Sequence, residues 1–485
     1  MFDGYEPLAD VYDEAFEAPG QPRPHYLPLL ETLADSDLDA LGHELKSRLR
    51  KDEVTFDASP DGLFALDLVP RLLTAPEWAT IRAGVVQRAR ALDSFAADVY
   101  ADRAIVAAEI LPERVIEGSA HYEPAMRYVP PPRQWVSVVG FDLVRTPDGE
   151  FVVLEDQIRM PSGLGYALSA REVLPAALGV PPPPSEDVWA IVGRLGETLR
   201  AIAPEGREDP NVVVLSSGPE GAGWYEHERI GRELGVPVVT LDQLECSGGD
   251  VLNALVNGRS TRIDVVYQRT DEDRFTDEEG VPTPLGVALL GPCRSGNVAC
   301  VNAPGSGIAD DKLVHAYVEE MVRFYLGEVP VLRSVETFDL GIANKREAAL
   351  ERMDDLVHKP RGEMGGEGVV VWSDADEDER AEVRRALENH PEDRIAQRRV
   401  QLSCHPTLRE GRLRPRRVDL RPYVIRVAGG REHVVPGLSR VALDEGSLIV
   451  NSSRGGGVKD TWLTVAPEQR EVHDASGTKA VPRAP

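Results

Sequence analysis

Residues 357–371 read Val-His-Lys-Pro-Arg-Gly-Glu-Met-Gly-Gly-Glu-Gly-Val-Val-Val. A short apolar run ends on Lys359, the glycines Gly362, Gly365, Gly366 and Gly368 follow, and a β-branched run closes the stretch. The pattern predicts strand, flexible hairpin loop, strand. Glycines let backbone N–H groups approach a polyphosphate without interference from Cβ. A lysine at the mouth of such a loop meets phosphate charge as a mobile ammonium. The same pattern also fits a Gly-rich surface turn with no ligand. It is neither a P-loop nor a dinucleotide fingerprint, because no Gly-Lys-Ser/Thr opens a helix and a strand follows the glycines.

Length and charge narrow the alternatives. A chain of 485 residues suggests roughly three domains. A net charge of -27 argues against a general binder of nucleic acid or anionic membrane. It fits a protein whose substrate or partner is cationic. Cys246, Cys293, Cys300 and Cys404 show no Cys-x-x-Cys spacing and read as reduced thiols of a cytoplasmic protein. The start lacks a signal-peptide pattern, and no apolar run approaches the roughly 20 residues of a membrane helix.

Residues 1–115 read as mostly helical. Leu38, Leu41 and Leu45 stand at helical spacing. Thr74 and Glu77 form a capping-box pattern with Pro76 in the first turn, and Trp78, Ile81, Val85, Leu92, Phe95 and Val99 recur at helical intervals as a core face. The polar and aromatic stretch from Asp13 to Tyr26 could dock on an active site, but reads first as a surface loop. At 133–157 the period changes to a β-hairpin turning at Pro147-Asp148-Gly149-Glu150. Asp142 and Glu155 lie on its paired strands, where they can face one another. With Gln157 they form a hard-oxygen set suited to magnesium held against phosphates, or else a solvent-facing acidic hairpin. Arg159, just beyond, can reach an anion.

Pro181 to Pro184 reads as a stiff linker at a domain boundary. A helix, a buried strand at 211–215, a second helix and a strand at 236–241 then make a βαβ unit of a Rossmann-like domain. Lys312 is expected to open a helix running toward Tyr325, against the helix dipole. From 306 to 465, helices alternate with antiparallel strands, an α+β pattern. Asp419 and Arg421 share one face of a strand.

Lys312, Lys359, the glycine loop, Arg421, Arg440, Asn451 and the carboxylate pair form a kit for phosphoryl transfer, which is mostly positioning and charge neutralisation. Here the sequence resembles the ATP-grasp superfamily, in which a glycine-rich hairpin covers ATP between two α+β lobes. That superfamily places an acidic residue and Glu-x-Asn after the Asp-x-Arg strand and the Asn-x-x-x-Gly-Gly segment. In this chain Asp419-Leu420-Arg421 and Asn451-Ser452-Ser453-Arg454-Gly455-Gly456 have no acidic pair behind them. The pair matches Asp142 and Glu155-Asp156-Gln157, far upstream. The rotated order resembles the circularly permuted ATP-grasp group of type 2, related to the synthetase part of glutathionylspermidine synthase. Asp310-Asp311-Lys312 and Lys459-Asp460-Thr461-Trp462 are among the other matching segments.

The resemblance implies a mixed α+β and α/β fold. Its parts would be an N-terminal helical segment (1–120), permuted ATP-grasp strands bearing the metal carboxylates (121–180), a Rossmann-like pre-ATP-grasp domain (185–305), nucleotide-binding lobes (306–465) and a disordered tail (466–485). It implies that Lys312 and Lys359 contact ATP phosphates, that Gly362 to Gly368 forms a lid, and that Gln397 lines the adenine pocket. Asp142, Glu155 and the residue at 157 would hold Mg2+. Arg421, Arg440 and Asn451 would face the γ-phosphate or an acyl phosphate. The family has Asn where Gln157 stands, and magnesium tolerates little misplacement. The implied activity is an ATP-dependent carboxylate–amine ligase with a small-molecule, peptide or polyamine substrate. The alternative is a weakly active ATP-binding scaffold working with alpha-E and transglutaminase-like partners.

Overall fold

The computed structural model describes residues 4–56, 59, 62–183, 188–270, 274–277, 279–362, 368–427, 429–447, 450 and 455–464. Gly365, Gly366, Asn451 and the segment 466–485 lie outside them.

In chain order the elements that position the site are β1 (Arg71–Leu73), α1 (Ala75–Tyr100), β2 (Val138–Arg145), β3 (Phe151–Gln157), α2 (Leu164–Leu178) and β4 (Val212–Ser216). They continue with α3 (Trp224–Leu234), β5 (Val238–Thr240), β6 (Val265–Arg269), β7 (Ala299–Val301), β8 (Arg333–Ser334) and β9 (Thr337–Asp339). The last are β10 (Leu356–Pro360), β11 (Val370–Val371), β12 (Arg394–Arg398), β13 (Arg421–Val427), β14 (Arg431–Val441) and β15 (Gly457–Leu463).

A seven-stranded mixed sheet in the order β8-β3-β2-β13-β14-β15-β1 forms the centre. Strands from the first third of the chain therefore pair with strands from the last. Every residue of β2 is buried, because helices cover both faces of the sheet. α1 starts where the sequence places it: Thr74 and Glu77 make both halves of the capping box. Its apolar face, with Ile81, Val85, Leu92 and Phe95, packs against Phe141, Leu143 and Val153 of the sheet. Each such side chain contributes about 1.5–3 kcal/mol on burial. On the other face, α2 packs with Tyr423, Leu438 and Trp462.

A second sheet, β7-β6-β4-β5, is wholly parallel, which is the expected Rossmann-like unit. A third, β9-β12-β10-β11, is antiparallel. In it Val357 pairs with Val371 and His358 with Val370, so the two strands expected on either side of the glycines pair; residues 363–367 between them lie outside the described residues.

Two local expectations are corrected. The stretch from Asp13 to Tyr26 is a surface loop only in its middle, where Glu17 to His25 is exposed or half-buried; its two ends are not. Asp13, Glu14, Ala15, Phe16 and Tyr26 are buried, because Glu14 meets Arg71 at 2.5 Å and Tyr26 Oη accepts from the Leu72 N–H at 2.7 Å. Lys312 stands just before the expected helical run, which reaches Tyr325 but changes winding: 3-10 over Val314–Tyr317, α over Val318–Met321 and π over Val322–Leu326. Asp311 Oδ1 accepts from the Leu313 N–H at 2.8 Å and closes the turn at Lys312 itself. Among the described residues no helix is long and apolar enough to cross a membrane.

Candidate active site

The β2–β3 hairpin places Asp142 opposite Glu155 and Gly140 opposite Gln157, with a register shift just after Asp142. Side chains alternate along a strand. Phe141 and Leu143 therefore turn toward α1, while Asp142, Glu155 and Gln157 share the other face. Asp156 turns toward α1, where Arg88 donates to it from Nε at 2.5 Å and Nη2 at 2.9 Å. His315 Nδ1 lies 2.8 Å from the same carboxylate. Burial pushes Asp156 up, but Arg88 outweighs it and holds the carboxyl well below the usual range.

β13 runs beside β2 and delivers Arg421, whose Nε and Nη2 donate to Asp142 at 2.6 and 2.8 Å. Arg440, on β14, reaches the same carboxylate at 2.9 Å and also grips Asp419. Burial raises the Asp142 carboxyl, but the two guanidinium groups outweigh it and bring it down to about 2. Lys359, at the end of β10, donates to Glu155 at 2.9 Å. Burial pushes Glu155 up, and Lys359 together with Lys312 outweighs it to leave the carboxyl low. Lys312 faces the same group; burial lowers its ammonium, and Glu155 only partly restores it.

These groups line one cavity of ≈ 450 Å³, within the usual range for a small-molecule site of roughly 300–1,000 Å³. It has three parts in a row. At one end Leu154, Val369, Ile395 and Gln397 make a mostly apolar slot. Gln397 Nε2 donates to the Leu154 carbonyl and to Thr337 Oγ1, both at 3.1 Å. The centre holds Asp142, Glu155, Lys312, Lys359, Arg421 and Arg440. The far end is bounded by Tyr423, by the loop at 160–163, and by residues that follow β4 and end β6. Tyr423 Oη donates to the Ser162 carbonyl at 2.6 Å. Gly163 has φ +112, and a Cβ there would stand 2.4 Å from Tyr423 Oη, so that close approach admits only glycine.

Eight residues expected from the sequence thus meet in this cavity: Asp142, Glu155, Gln157, Lys312, Lys359, Gln397, Arg421 and Arg440. Gly362 and Gly368 flank the loop without lining the cavity. Sequence reasoning missed the far end: Phe56, Phe64, Tyr166, Glu226 and Arg269 all line it. Part of it was within reach. In open α/β sheets ligands bind at the carboxyl ends of strands where the strand order reverses, and β4 and β6 end there.

The donor set fits a magnesium ion bound through phosphates. It offers two facing carboxylates and an amide, all hard oxygen donors. No group of three or more His, Cys, Asp or Glu residues among those described forms a metal cage by itself. Magnesium is commonly held by one or two carboxylates plus water and substrate phosphates.

Residues 70–442 match the family described as circularly permuted ATP-grasp type 2. The chain is a circularly permuted ATP-grasp protein. A Frankia casuarinae protein named "Putative glutamate--cysteine ligase 2-2" is 40% identical over 474 residues, covering 96% of this chain and 54% of that protein. The chain thus spans about half the length of that relative. An uncharacterized protein of Mycobacterium tuberculosis is 38% identical, covering 100% of this chain and 90% of its own. One of Synechocystis is 37% identical, covering 95% and 98%. The same ATP-grasp architecture recurs in a glutathione synthetase-like effector from Globodera pallida, with TM-score 0.55, 13% identity, and 90% and 97% of the two chains covered.

Proposed function

We propose that the chain is an ATP-dependent carboxylate–amine ligase working through an acyl phosphate. One observation carries the reading: two carboxylates from the first third of the chain and four cations from positions 312, 359, 421 and 440 line a single cavity. A substrate carboxylate oxygen would attack the γ-phosphorus of ATP, ADP would leave, and an amine would displace phosphate from the acyl carbon. A C–N bond replaces the C–O bond to phosphate, and the amine proton leaves with phosphate or solvent.

In this reading the slot at Leu154, Val369, Ile395 and Gln397 takes the adenine. Lys312 and Lys359 hold the triphosphate. Arg421 and Arg440 stabilise charge on the transferred phosphoryl group. Asp142 and Glu155 would hold Mg2+, which supplies charge neutralisation at the phosphates. The present pairing of Asp142 with arginines and of Glu155 with Lys359 suits the free protein: an anionic triphosphate competes for the same cations and releases the carboxylates. The relative's glutamate–cysteine ligase name supports the amide-forming class.

The test is ADP release from ATP and magnesium across paired acids and amines. Release dependent on both partners is expected; none in any combination counts against the ligase. A second reading, an ATP-binding scaffold acting with alpha-E and transglutaminase-like partners, is favoured by Gln157. Its Nε2 donates to Glu155 at 3.3 Å, so the extra methylene ties the amide to the carboxylate.

A further inference from the structure

The far end of the cavity has a chemistry unlike the charged centre. Phe56 and Phe64 sit on a short hairpin in which Thr55 bridges Leu63, the Phe56 N–H donates to the Gly62 carbonyl at 3.0 Å, and the Phe64 N–H donates to the Val54 carbonyl at 3.0 Å. Tyr166 of α2 stacks on Phe64 with ring centroids 4.6 Å apart and planes at 22°. It meets Phe56 edge-on at 5.6 Å and 87°, and its Oη donates to the Thr55 carbonyl at 3.1 Å. Met160 and Leu438 extend this wall along the cavity. Aromatic rings held this way offer apolar area that needs no ordering on binding. Phe56 and Phe64 precede residue 70, where the family match begins.

Beside the wall lies one buried cation. Arg269 is 3% exposed. Its Nη1 donates to the Pro161 carbonyl at 3.1 Å, and its Nη2 stands 3.8 Å from Glu226. Its Nε has no hydrogen-bond partner among the described residues. Glu226 is already engaged, accepting from the Gly163 and Gly165 N–H groups at 2.9 to 3.2 Å. Arg71 and Arg145 share that feature in sealed surroundings; Arg269 differs in lining the cavity, where its guanidinium can meet a ligand carboxylate.

We propose that this end is the subsite for the amine substrate, and that the substrate is an α-amino acid, or a short peptide, whose first residue carries a large apolar side chain. The side chain lies on Phe56, Phe64 and Tyr166, and the carboxylate points to Arg269. The assignment rests on the ligase reading, because it leaves the charged centre to ATP and the acid.

The test is calorimetric titration of the full chain with AMP-PNP and magnesium, and then with L-phenylalanine, L-leucine, L-phenylalaninamide, glycine and spermidine. Phenylalanine and leucine are expected to bind at least about tenfold tighter than glycine, a range set by apolar pockets that discriminate by side-chain size. Phe56→Ala should erase that preference while AMP-PNP binds as before. Tyr166→Phe, which keeps the ring, should retain it, so loss of preference is separable from misfolding. Arg269→Gln should abolish the difference between phenylalanine and its amide. Equal binding of glycine and phenylalanine, or binding of spermidine alone, with AMP-PNP intact, overturns the subsite and leaves the ligase reading standing. Failure to bind AMP-PNP overturns both.

Discussion

The cluster around Asp142 and the cluster around Arg71 and Lys459 use the same residue types on the same sheet. In the second, Arg71 is fully buried, donates to Glu14 at 2.5 Å and reaches the Asp419 carbonyl at 3.0 Å. Glu14 also accepts from Ser403 Oγ at 2.6 Å. Lys459 pairs with Asp67 and donates to the Pro406 carbonyl at 3.0 Å, while Tyr26 and His405 close the group at 2.9 Å. None of these residues lines the cavity. Each charge there has a protein partner and no access for a ligand, so the cluster clamps the N-terminal segment to β15 and to the approach of β13. Around Asp142 the ion pairs border open space, so their partners can be exchanged. Access separates a structural charge cluster from a working one.

Breaking the closed cluster should have the largest effect. Arg71→Met removes the closer of the two arginines on buried Glu14, leaving Arg145 at 3.5 Å, and should cost about 3 kcal/mol of stability, read by urea unfolding. A variant as stable as the parent would mean the cluster is not a clamp. Lys359→Ala, at the open cluster, should lower ATP turnover by about 10²–10³. Because Glu155 is partly exposed, the same variant should cost only about 1 kcal/mol of stability. A loss matching that of Arg71→Met would erase the distinction drawn here.

The pH dependence sharpens the contrast. Burial lowers the Lys459 ammonium from 10.5 to about 8 in the fold, Asp67 offsetting only part of the penalty. The unfolded chain then binds the extra proton between those values. Stability should therefore rise by about 3 kcal/mol as pH climbs through that window, and Lys459→Met should flatten the rise. Asp142 is depressed from 3.8 to about 2 by arginines that outweigh its burial. Its contribution of about 2 kcal/mol should be complete above the higher value and vanish as pH falls through the lower one. Asp142→Asn should remove that acid limb. The smallest effect is expected from Gln157→Asn, which frees the amide from Glu155 and should raise turnover by about tenfold or less. No change, with ATP still bound, would favour the scaffold reading.

Much of the fold was legible because its signals are local. Thr74 and Glu77 cap α1 through groups three residues apart, and the β-branched runs at 357–371 pair across their own loop. The carboxylates and cations of the cavity were legible through the order of their motifs, a rotation visible in the chain itself. The burial of Glu14 was not, since its partner Arg71 is 57 positions away and a polar stretch without a visible partner reads as surface. The mixed winding of the helical run after Lys312 was also hidden, because the Asp311 side chain closes a turn on Leu313 while its other oxygen accepts from Ser119 at 2.6 Å.

The sequence alone therefore determined which groups are available and the strands and helices they ride on, because helix capping and strand alternation act over a few residues. Only the tertiary structure decided which charges face open space and which are sealed, and that aromatic rings from before residue 70 line the far end of the cavity. Those outcomes depend on contacts between segments hundreds of residues apart, and they arise only when β13 docks beside β2 and β1 beside β15.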